Sequence, residues 1–264
     1  MLILESPWTR QPQGAQRQLR PEFATNATSL VVGNRLDLIS KQQYGFSAIR
    51  ATLNGMSCAE VGTNSPTLLT NAETVLPIGT EVTLVFVNDS AVDVGAPQLC
   101  QFSTAGARTS EFHFYLRFVD GNAYFRWGGG TDGATSVSGP APSSQGTWVV
   151  STGPYGMQIW RNGALIASNT ATPSRVAAGP GASLTANAGA ASTFTTPLLG
   201  MWNKQFPPAI SRSVSSNPWQ LFAPQQIIIP TPAAAGYTHP TLSAATALEI
   251  GATSFKPSVT YTFA

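Results

Sequence analysis

Apolar and polar residues alternate with a period of two along much of the chain from about Val31 onward, between turn residues. This period is typical of half-buried β-strands. In 111–118 the alternation is nearly strict and predicts one face in the core and one that meets water or a partner. In 81–88 both faces carry apolar residues, which predicts a central strand.

Two dipeptides predict tight hairpins. Asp120-Gly121 and Asn162-Gly163 accept the positive φ angles of type I′ turns. The strands joined would be 112–118 with 123–127 and 156–161 with 164–167, and 147–150 would form a neighbouring strand of the same meander. No long window shows a helical period, and the best candidate, 208–216, suffices for one or two turns. The fold class predicted is all-β, an antiparallel β-sandwich or jelly roll.

The first thirty residues read as an extended N-terminal arm. Prolines interrupt any regular element, and the segment carries Trp8, Arg10, Arg17 and Arg20, residue types that are enriched at interface hot spots. Such a segment is either disordered or docked on another surface, and we predict that the arm, 1–30, docks through these four residues.

The chain after the sandwich, 223–264, begins as a Pro- and Ala-rich linker and ends in a segment that reads as a β hairpin. An element of this size is not stable alone, so it should pair with the main sheet or with another chain. Ile228, Tyr261 and Phe263 are its predicted assembly contacts. The predicted organisation is thus an arm at 1–30, a sandwich at 31–222 and a linker with a small C-terminal β element at 223–264.

Composition narrows the classes of partner. Charged residues make up 10% of the chain and the formal net charge is +2, too small for a nucleic-acid binder. No run of about 18 apolar residues predicts a membrane span, and the N-terminus has no signal-peptide pattern. Cys58 and Cys100 are too few for a metal knuckle or a disulfide scaffold, and two buried thiols are favoured over a single bridge.

Candidates for catalysis or metal binding are weak. Asp89 and Asp93 have the oxygen ligands that calcium prefers, but a polar loop explains them equally well. His113 and His239 are too few for zinc, and 128–133 matches a dinucleotide fingerprint without the helix that it requires. We predict no catalytic residue, no cofactor and no metal.

Aromatic residues near the predicted hairpins are candidates for stacking on sugar rings, and we single out Trp127 and Tyr155. The alternative is that large aromatics fill the core between the sheets. That role is expected of Trp148 and of at least one of Trp127 and Trp160.

A resemblance to a known family rests on four segments, 148–150, 156–163, 199–203 and 217–222. Over roughly 80–222 the chain resembles the concanavalin A-like (laminin G-like) β-sandwich modules of tailed-bacteriophage virion proteins, and 6–14 and 259–263 look like the phage proteins in particular. The resemblance implies a non-enzymatic structural protein of a virion, such as a head decoration, neck, tail or fibre protein, made in the bacterial cytoplasm. Its partners would be other virion proteins and copies of itself in a homo-oligomer.

Glucanases of that superfamily carry a Glu-x-Asp-x-Glu strand, and no two acids of this chain stand two residues apart as that strand requires. Two alternatives to the structural role remain open. One is a glycan-binding module that recognises the host surface, and the other is a polysaccharide depolymerase.

Overall fold

The structure is a computed structural model that describes residues 2–6, 18–51, 57–61, 67–69, 75, 81–89, 98–103, 112–129, 135–170, 183–187, 194–223 and 225–229. The chain forms two compact units, Pro7–Pro224 and the two chain ends, Met1–Ser6 with Gln225–Ala264. In the unit of the chain ends, β1 (Leu2–Ser6) pairs antiparallel with β17 (Gln225–Ile229), in a register that runs from Leu2 opposite Ile229 to Ser6 opposite Gln225.

The larger unit contains two six-stranded sheets and a three-stranded sheet, with antiparallel pairing throughout its described strands. The strands of the first sheet are β2 (Ala27–Val32), β6 (Val82–Asn88), β11 (Gly146–Thr152), β12 (Met157–Arg161), β13 (Ala164–Asn169) and β16 (Leu198–Trp202). Their order across the sheet is β13-β12-β11-β6-β16-β2.

The strands of the second sheet are β5 (Thr67–Leu69), β7 (Gln98–Ser103), β8 (Phe112–Val119), β9 (Asn122–Gly129), β10 (Thr135–Pro140) and β14 (Ser183–Asn187), in the order β10-β9-β8-β7-β14-β5. The three-stranded sheet has the order β15-β4-β3, with β3 (Ala48–Ala51), β4 (Ser57–Val61) and β15 (Phe194–Thr196). The helical elements are α1 (Pro21–Ala24), α2 (Pro208–Ser216) and a 3-10 turn (Pro218–Leu221). This architecture confirms the all-β sandwich, and α2 has the bounds that the sequence indicated. No helix in the described part of the chain is long and apolar enough to cross a membrane.

Both predicted hairpins are present. Asp120 and Gly121, with φ of 50° and 71°, connect β8 to β9, and Asn162 and Gly163, with φ of 47° and 83°, connect β12 to β13. Positive φ at both central residues is the signature of a type I′ turn. The central position of β6 is also confirmed, because it lies between β11 and β16 with both of its faces largely buried.

The main core lies between the two six-stranded sheets. Trp148 on the first sheet and Phe118 on the second meet edge to face, with ring centroids 4.7 Å apart, and the Trp148 indole donates a hydrogen bond to the Ser144 carbonyl at 2.8 Å. Leu116 and Phe118, two residues predicted to point inward from β8, are buried here. Burying such large apolar side chains contributes about 1.5–3 kcal/mol each.

A second core covers the other face of the first sheet, which makes the unit three layers deep. Trp160 and Trp202 on the sheet belong to an apolar cluster with Phe23 on α1, Val214 on α2 and Phe222 after the 3-10 turn. Trp148 fills the core between the sheets as expected, whereas Trp160 is buried in this second cluster. The sequence did not predict this third layer.

The two sheets approach each other closely at one side, where β10 lies against β13. Gly139 permits this approach, because a Cβ at that position would stand 2.6 Å from the Ile166 carbonyl oxygen and 2.9 Å from the Ala167 Cβ. The Asn169 amide donates to the Ser136 carbonyl at 3.4 Å along the same seam.

The sandwich starts earlier than predicted. Leu19 bridges to Phe222, and β2, which begins at Ala27, pairs with β16. Pro21 begins α1 rather than interrupting a regular element, since proline is tolerated in the first turn of a helix. The apolar side chains of Phe23 and Leu30 are buried, which explains why this part of the predicted arm belongs to the sandwich.

Candidate functional site

The turn that joins β11 to β12 displays an aromatic side chain. We call residues 153–156 the Tyr155 turn; Tyr155 is 49% exposed, and Pro154 beside it is exposed as well. Gly156 has a φ of 71° and donates its N–H to the Gly153 carbonyl at 2.9 Å. A Cβ at Gly156 would overlap the Asn169 carbonyl oxygen, so glycine allows this turn to lie against the end of β13.

The side chain of Gln205 holds the backbone of the Tyr155 turn in place through hydrogen bonds. Its Oε1 accepts the Tyr155 N–H at 2.8 Å, and its Nε2 donates to the Gly156 carbonyl at 2.6 Å and to the Ser151 hydroxyl at 3.2 Å. Gln205 is only 1% exposed, and its own N–H donates to a carboxylate oxygen of Glu81 at 3.2 Å. A buried amide whose donors and acceptor are used in this way holds the backbone in one conformation.

The carbonyl group of Tyr155 is also bonded to a side chain. Gln158 donates from Nε2 to the Tyr155 carbonyl at 3.2 Å, and its Oε1 accepts the Trp160 indole N–H at 2.9 Å. Both backbone polar groups of Tyr155 are therefore bonded to side chains. A ring that is presented from a fixed backbone loses little conformational entropy when a ligand stacks on it.

Charged groups of both signs lie beside the turn. Lys204 is exposed and immediately precedes Gln205, and its carbonyl accepts the Thr83 hydroxyl at 2.7 Å. Glu81 is partly exposed and uses one carboxylate oxygen for the Gln205 N–H. The turn thus presents an aromatic ring close to a carboxylate, which suits a ligand that has both apolar C–H faces and hydroxyl groups.

The backbone topology brings the second candidate, Trp127, toward the same end of the sandwich. Asn169, next to the Tyr155 turn, contacts Ser136, which pairs with Arg126, and Trp127 follows on β9. The side chain of Trp127 lies outside the described residues.

The predicted assembly contacts are only partly within the described chain. Arg20 donates from Nε to the Phe222 carbonyl at 3.0 Å, a contact within its own sandwich. Ile228 lies in β17, where its backbone pairs with Ile3. The remaining contacts, and the predicted hairpin of the C-terminal segment, lie outside the described residues: Trp8, Arg10, Arg17, Tyr261 and Phe263.

Acidic and thiol groups near β6 have structural surroundings. Burial raises the pKa of Asp89, whose N–H donates to the Thr195 carbonyl at 2.9 Å, while Asp93 lies outside the described residues. Cys58 is a buried free thiol, and burial followed by the charge of Asp89 raises its pKa to about 12. Among the described residues, no three His, Cys, Asp or Glu side chains cluster as a metal site would require.

Sequence reasoning identified Tyr155 but missed Gln205 and Gln158, which position it. No local pattern marks a glutamine that will bind a turn fifty residues away. The one usable signal is Gly153–Gly156, where two glycines flank an aromatic residue between apolar strands.

Comparison with known proteins is informative at the level of the fold. No protein-family model matches the chain, and no curated protein sequence matches it. Solved structures do match. The binding domain of Paraclostridial Mosquitocidal Protein 1 is 10% identical with a TM-score of 0.52, over 73% of this chain and 52% of that one.

A second structure, of botulinum neurotoxin type C, whose cell entry depends on interaction with two ganglioside molecules, is 9% identical with a TM-score of 0.50, over 75% and 52%. A third is the CBM40 domain of the Ruminococcus gnavus IT-sialidase bound to α2,3 sialyllactose, 16% identical with a TM-score of 0.48, over 65% and 100%. The chain spans about half the length of the two toxin structures. The likeness to the two toxin structures shows the fold alone.

Proposed function

We propose that this chain is a glycan-binding module and that the Tyr155 turn is its contact surface. The observation that carries the proposal is the half-exposed ring of Tyr155 on a turn whose N–H and C=O are both held by glutamine side chains. Tyrosine offers a rigid amphipathic surface at low entropic cost. The ganglioside dependence of the toxin of similar fold suggests which class of glycan to test first.

In this proposal the Tyr155 ring stacks on the apolar face of a sugar, and Lys204 donates hydrogen bonds to oxygens on the ring or on an acidic substituent. Trp127, the second candidate from the sequence, lies on β9. The module binds without turning over its ligand, so incubation with a bound glycan should release no reducing ends. Release of reducing ends would support the depolymerase alternative.

The experiment is a glycan array with the purified chain that includes ganglioside oligosaccharides and sialyllactose, followed by calorimetric titration of the best ligand. Tyr155→Ala should weaken binding about tenfold or more, as truncation of an aromatic hot spot does, whereas Tyr155→Trp should retain it. The matched control is Ile49→Ala, because Ile49 is also exposed (43%) but lies on the three-stranded sheet. Absence of glycan binding, or equal binding by Tyr155→Ala, would overturn the proposal.

A second candidate is the structural role in a virion, and one observation favours an assembly function. The chain ends form a two-stranded ribbon of β1 and β17, and an isolated pair of strands is at best marginally stable in water. Packing against copies of the chain or against other virion proteins would stabilise the ribbon. The assembled form would then be a homo-oligomer or part of a larger particle.

Sedimentation of the full chain tests the assembly candidate. Ile228→Pro places a proline in the middle of β17 and should abolish self-association or incorporation into particles, while Gln225→Pro, at the first residue of the strand, should be tolerated. A full-length chain that sediments as a single copy and is absent from purified particles would contradict an assembly role.

A further inference from the structure

A concave surface lies at the opposite end of β12 from the Tyr155 turn. It is a groove of about 460 Å³ between the β12–β13 hairpin turn and helix α2, lined by Asn162, Gly163, Ala209, Arg212, Ser213 and Ser216. The five residues of β12 separate it from the Tyr155 turn by about 16 Å at 3.3 Å per residue. Its volume falls within the range of roughly 300–1,000 Å³ that is usual for small-molecule sites.

The walls of the groove are fixed by hydrogen bonds. Asn162 accepts the Thr147 N–H on its Oδ1 at 2.9 Å, and the Gly163 N–H donates to the Ser215 hydroxyl at 3.1 Å. Glycine at 163 is required on two counts, since its φ is 83° and a Cβ there would stand 3.1 Å from the Ser216 Cβ. The hairpin turn and the helix therefore meet closely and form the two walls of the groove.

The chemistry of the lining is that of an anion site with hydrogen-bonding walls. Arg212 is exposed, and its guanidinium makes no hydrogen bond or ion pair with any residue that the structure describes. None of the described residues that line the groove is Asp or Glu. Ser213 donates its hydroxyl to Gln220 Oε1 at 2.7 Å, and Ser216 donates to the Ser213 carbonyl at 2.8 Å, so both hydroxyl oxygens retain lone pairs that can accept hydrogen bonds.

The neighbouring arginine is already committed to structure. Arg161 donates from Nε and Nη2 to the Gln145 carbonyl, at 3.2 and 2.7 Å, and lies 5.2 Å from the centroid of the Trp148 ring. Arg212 is thus the cation that the groove offers to a ligand. A single planar guanidinium fork matches one carboxylate in a bidentate geometry.

We propose that this groove binds a carboxylate-bearing sugar, with Arg212 on the carboxylate and the hydroxyls of Ser213 and Ser216 accepting hydrogen bonds from sugar O–H groups. The site is separate from the Tyr155 turn and does not depend on the function proposed for it. An acidic sugar meets both features of the lining, whereas a simple carboxylate uses the cation alone and a neutral sugar uses the hydroxyls alone.

The test is titration of the full chain with glucuronate, glucose and acetate, followed by NMR shifts or calorimetry. Glucuronate should bind at least about tenfold more tightly than either of the others, and its affinity should fall as salt is raised. Arg212→Gln should weaken glucuronate binding by about tenfold or more, which is the scale for hydrogen bonds to a charged group, and Arg212→Lys should restore only part of it.

The matched control is Arg35→Gln. Arg35 is also exposed, but it lies on the loop after β2, at the opposite edge of the first sheet, so its loss reports the effect of net charge alone. Glucuronate-induced NMR shifts should centre on Gly163 and Ser216 rather than on the Tyr155 turn, which separates this site from the other. Equal binding of glucuronate and acetate, equal binding of glucuronate and glucose, an unchanged affinity in Arg212→Gln, or no saturable glucuronate binding would each overturn the proposal.

Discussion

The Oε1 of Gln205 accepts the backbone N–H of Tyr155 at 2.8 Å across fifty residues of sequence. Gln205 follows β16, and Tyr155 lies between β11 and β12. The two meet because β6 pairs with β11 on one side and with β16 on the other, so that the ends of these strands adjoin. The display of the aromatic ring is therefore a property of the order of strands in the sheet.

Replacing Gln205 by methionine keeps the volume of the side chain but removes its hydrogen bonds to Tyr155, Gly156 and Ser151. Unpaired buried polar groups cost about 1–3 kcal/mol. We expect Gln205→Met to lower the free energy of unfolding by about 2–3 kcal/mol in urea titrations and to weaken glycan binding at the Tyr155 turn. Gln43→Met, at an exposed position, is the control. If both variants unfold at the same urea concentration, the role of Gln205 in fixing the turn is refuted.

A buried carboxylate organises the loop that follows β2. Asp37 is fully buried, and its Oδ1 accepts the N–H groups of Leu30, Ile39 and Ser40 at 3.0, 2.8 and 3.1 Å. Its Oδ2 accepts the hydroxyl of Ser29 at 2.5 Å, and that hydroxyl also contacts the Tyr44 hydroxyl at 2.6 Å. The loop is thus folded around one acceptor group.

Asp37→Asn replaces one acceptor oxygen by an NH₂ donor, which would face either the Ser29 hydroxyl or the cluster of backbone N–H groups. Ser29 could rotate its hydroxyl, whereas the backbone donors could not. We expect a loss of about 2–3 kcal/mol in stability, read by denaturant unfolding. Asp120→Asn, in an exposed type I′ turn that accepts Asn, should change stability by less than about 0.5 kcal/mol. Equal stability of the two variants would contradict the assigned role of Asp37.

The close approach of the two sheets at Gly139 gives a steric prediction. A Cβ there would stand 2.6 Å from the Ile166 carbonyl oxygen, a backbone atom that cannot move without displacing β13. Gly139→Ala should therefore cost about 1–3 kcal/mol, as overpacking does. Ser138→Ala, at the exposed position next to it on β10, should be nearly neutral. A thermal unfolding midpoint of Gly139→Ala equal to that of Ser138→Ala would show that the seam is not close-packed.

The parts of the fold that the sequence predicted depend on local chemistry. The Asp120-Gly121 turn and the burial of Leu116 and Phe118 follow from neighbouring residues alone. The third layer does not, because Trp160 alternates like any strand residue and only the return of α2 across the sheet decides that this face is covered. The hydrogen bond of Arg20 within the sandwich is not predictable for a similar reason, since its partner Phe222 comes 202 residues later.

The candidate sites, too, can be predicted from the sequence only in part. Tyr155 could be proposed from its place between glycines, but the groove at Arg212 depends on a helix that packs on a hairpin turn about fifty residues earlier in the chain. Neither segment shows a binding motif by itself. Polar residues in a short helix and an Asn-Gly turn are common in every class of protein, so only their packing distinguishes this pair.

The raised pKa of Asp89 predicts how the stability of the fold changes with pH. Burial raises the pKa of its carboxyl in the folded chain above the ordinary value of 3.8, so the folded state binds the proton more tightly than the unfolded state does. Stability linked to this group is then fully present below pH 3.8 and falls as the pH rises through the raised pKa. Above the raised pKa the partly buried carboxylate is ionised and destabilises the fold.

Asp89→Asn removes this cost while the backbone bonds of residue 89, to the Thr195 carbonyl and from the Gln145 amide, remain. We expect the variant to be more stable than the parent at pH 7 and to lose that advantage near pH 3, where the parent carboxyl is protonated. Urea unfolding at both pH values measures the difference, and Asp120→Asn controls for the loss of one negative charge. An advantage of Asp89→Asn that is the same at both pH values would show that burial of the charge is not its origin, since only the ionised form carries the desolvation cost.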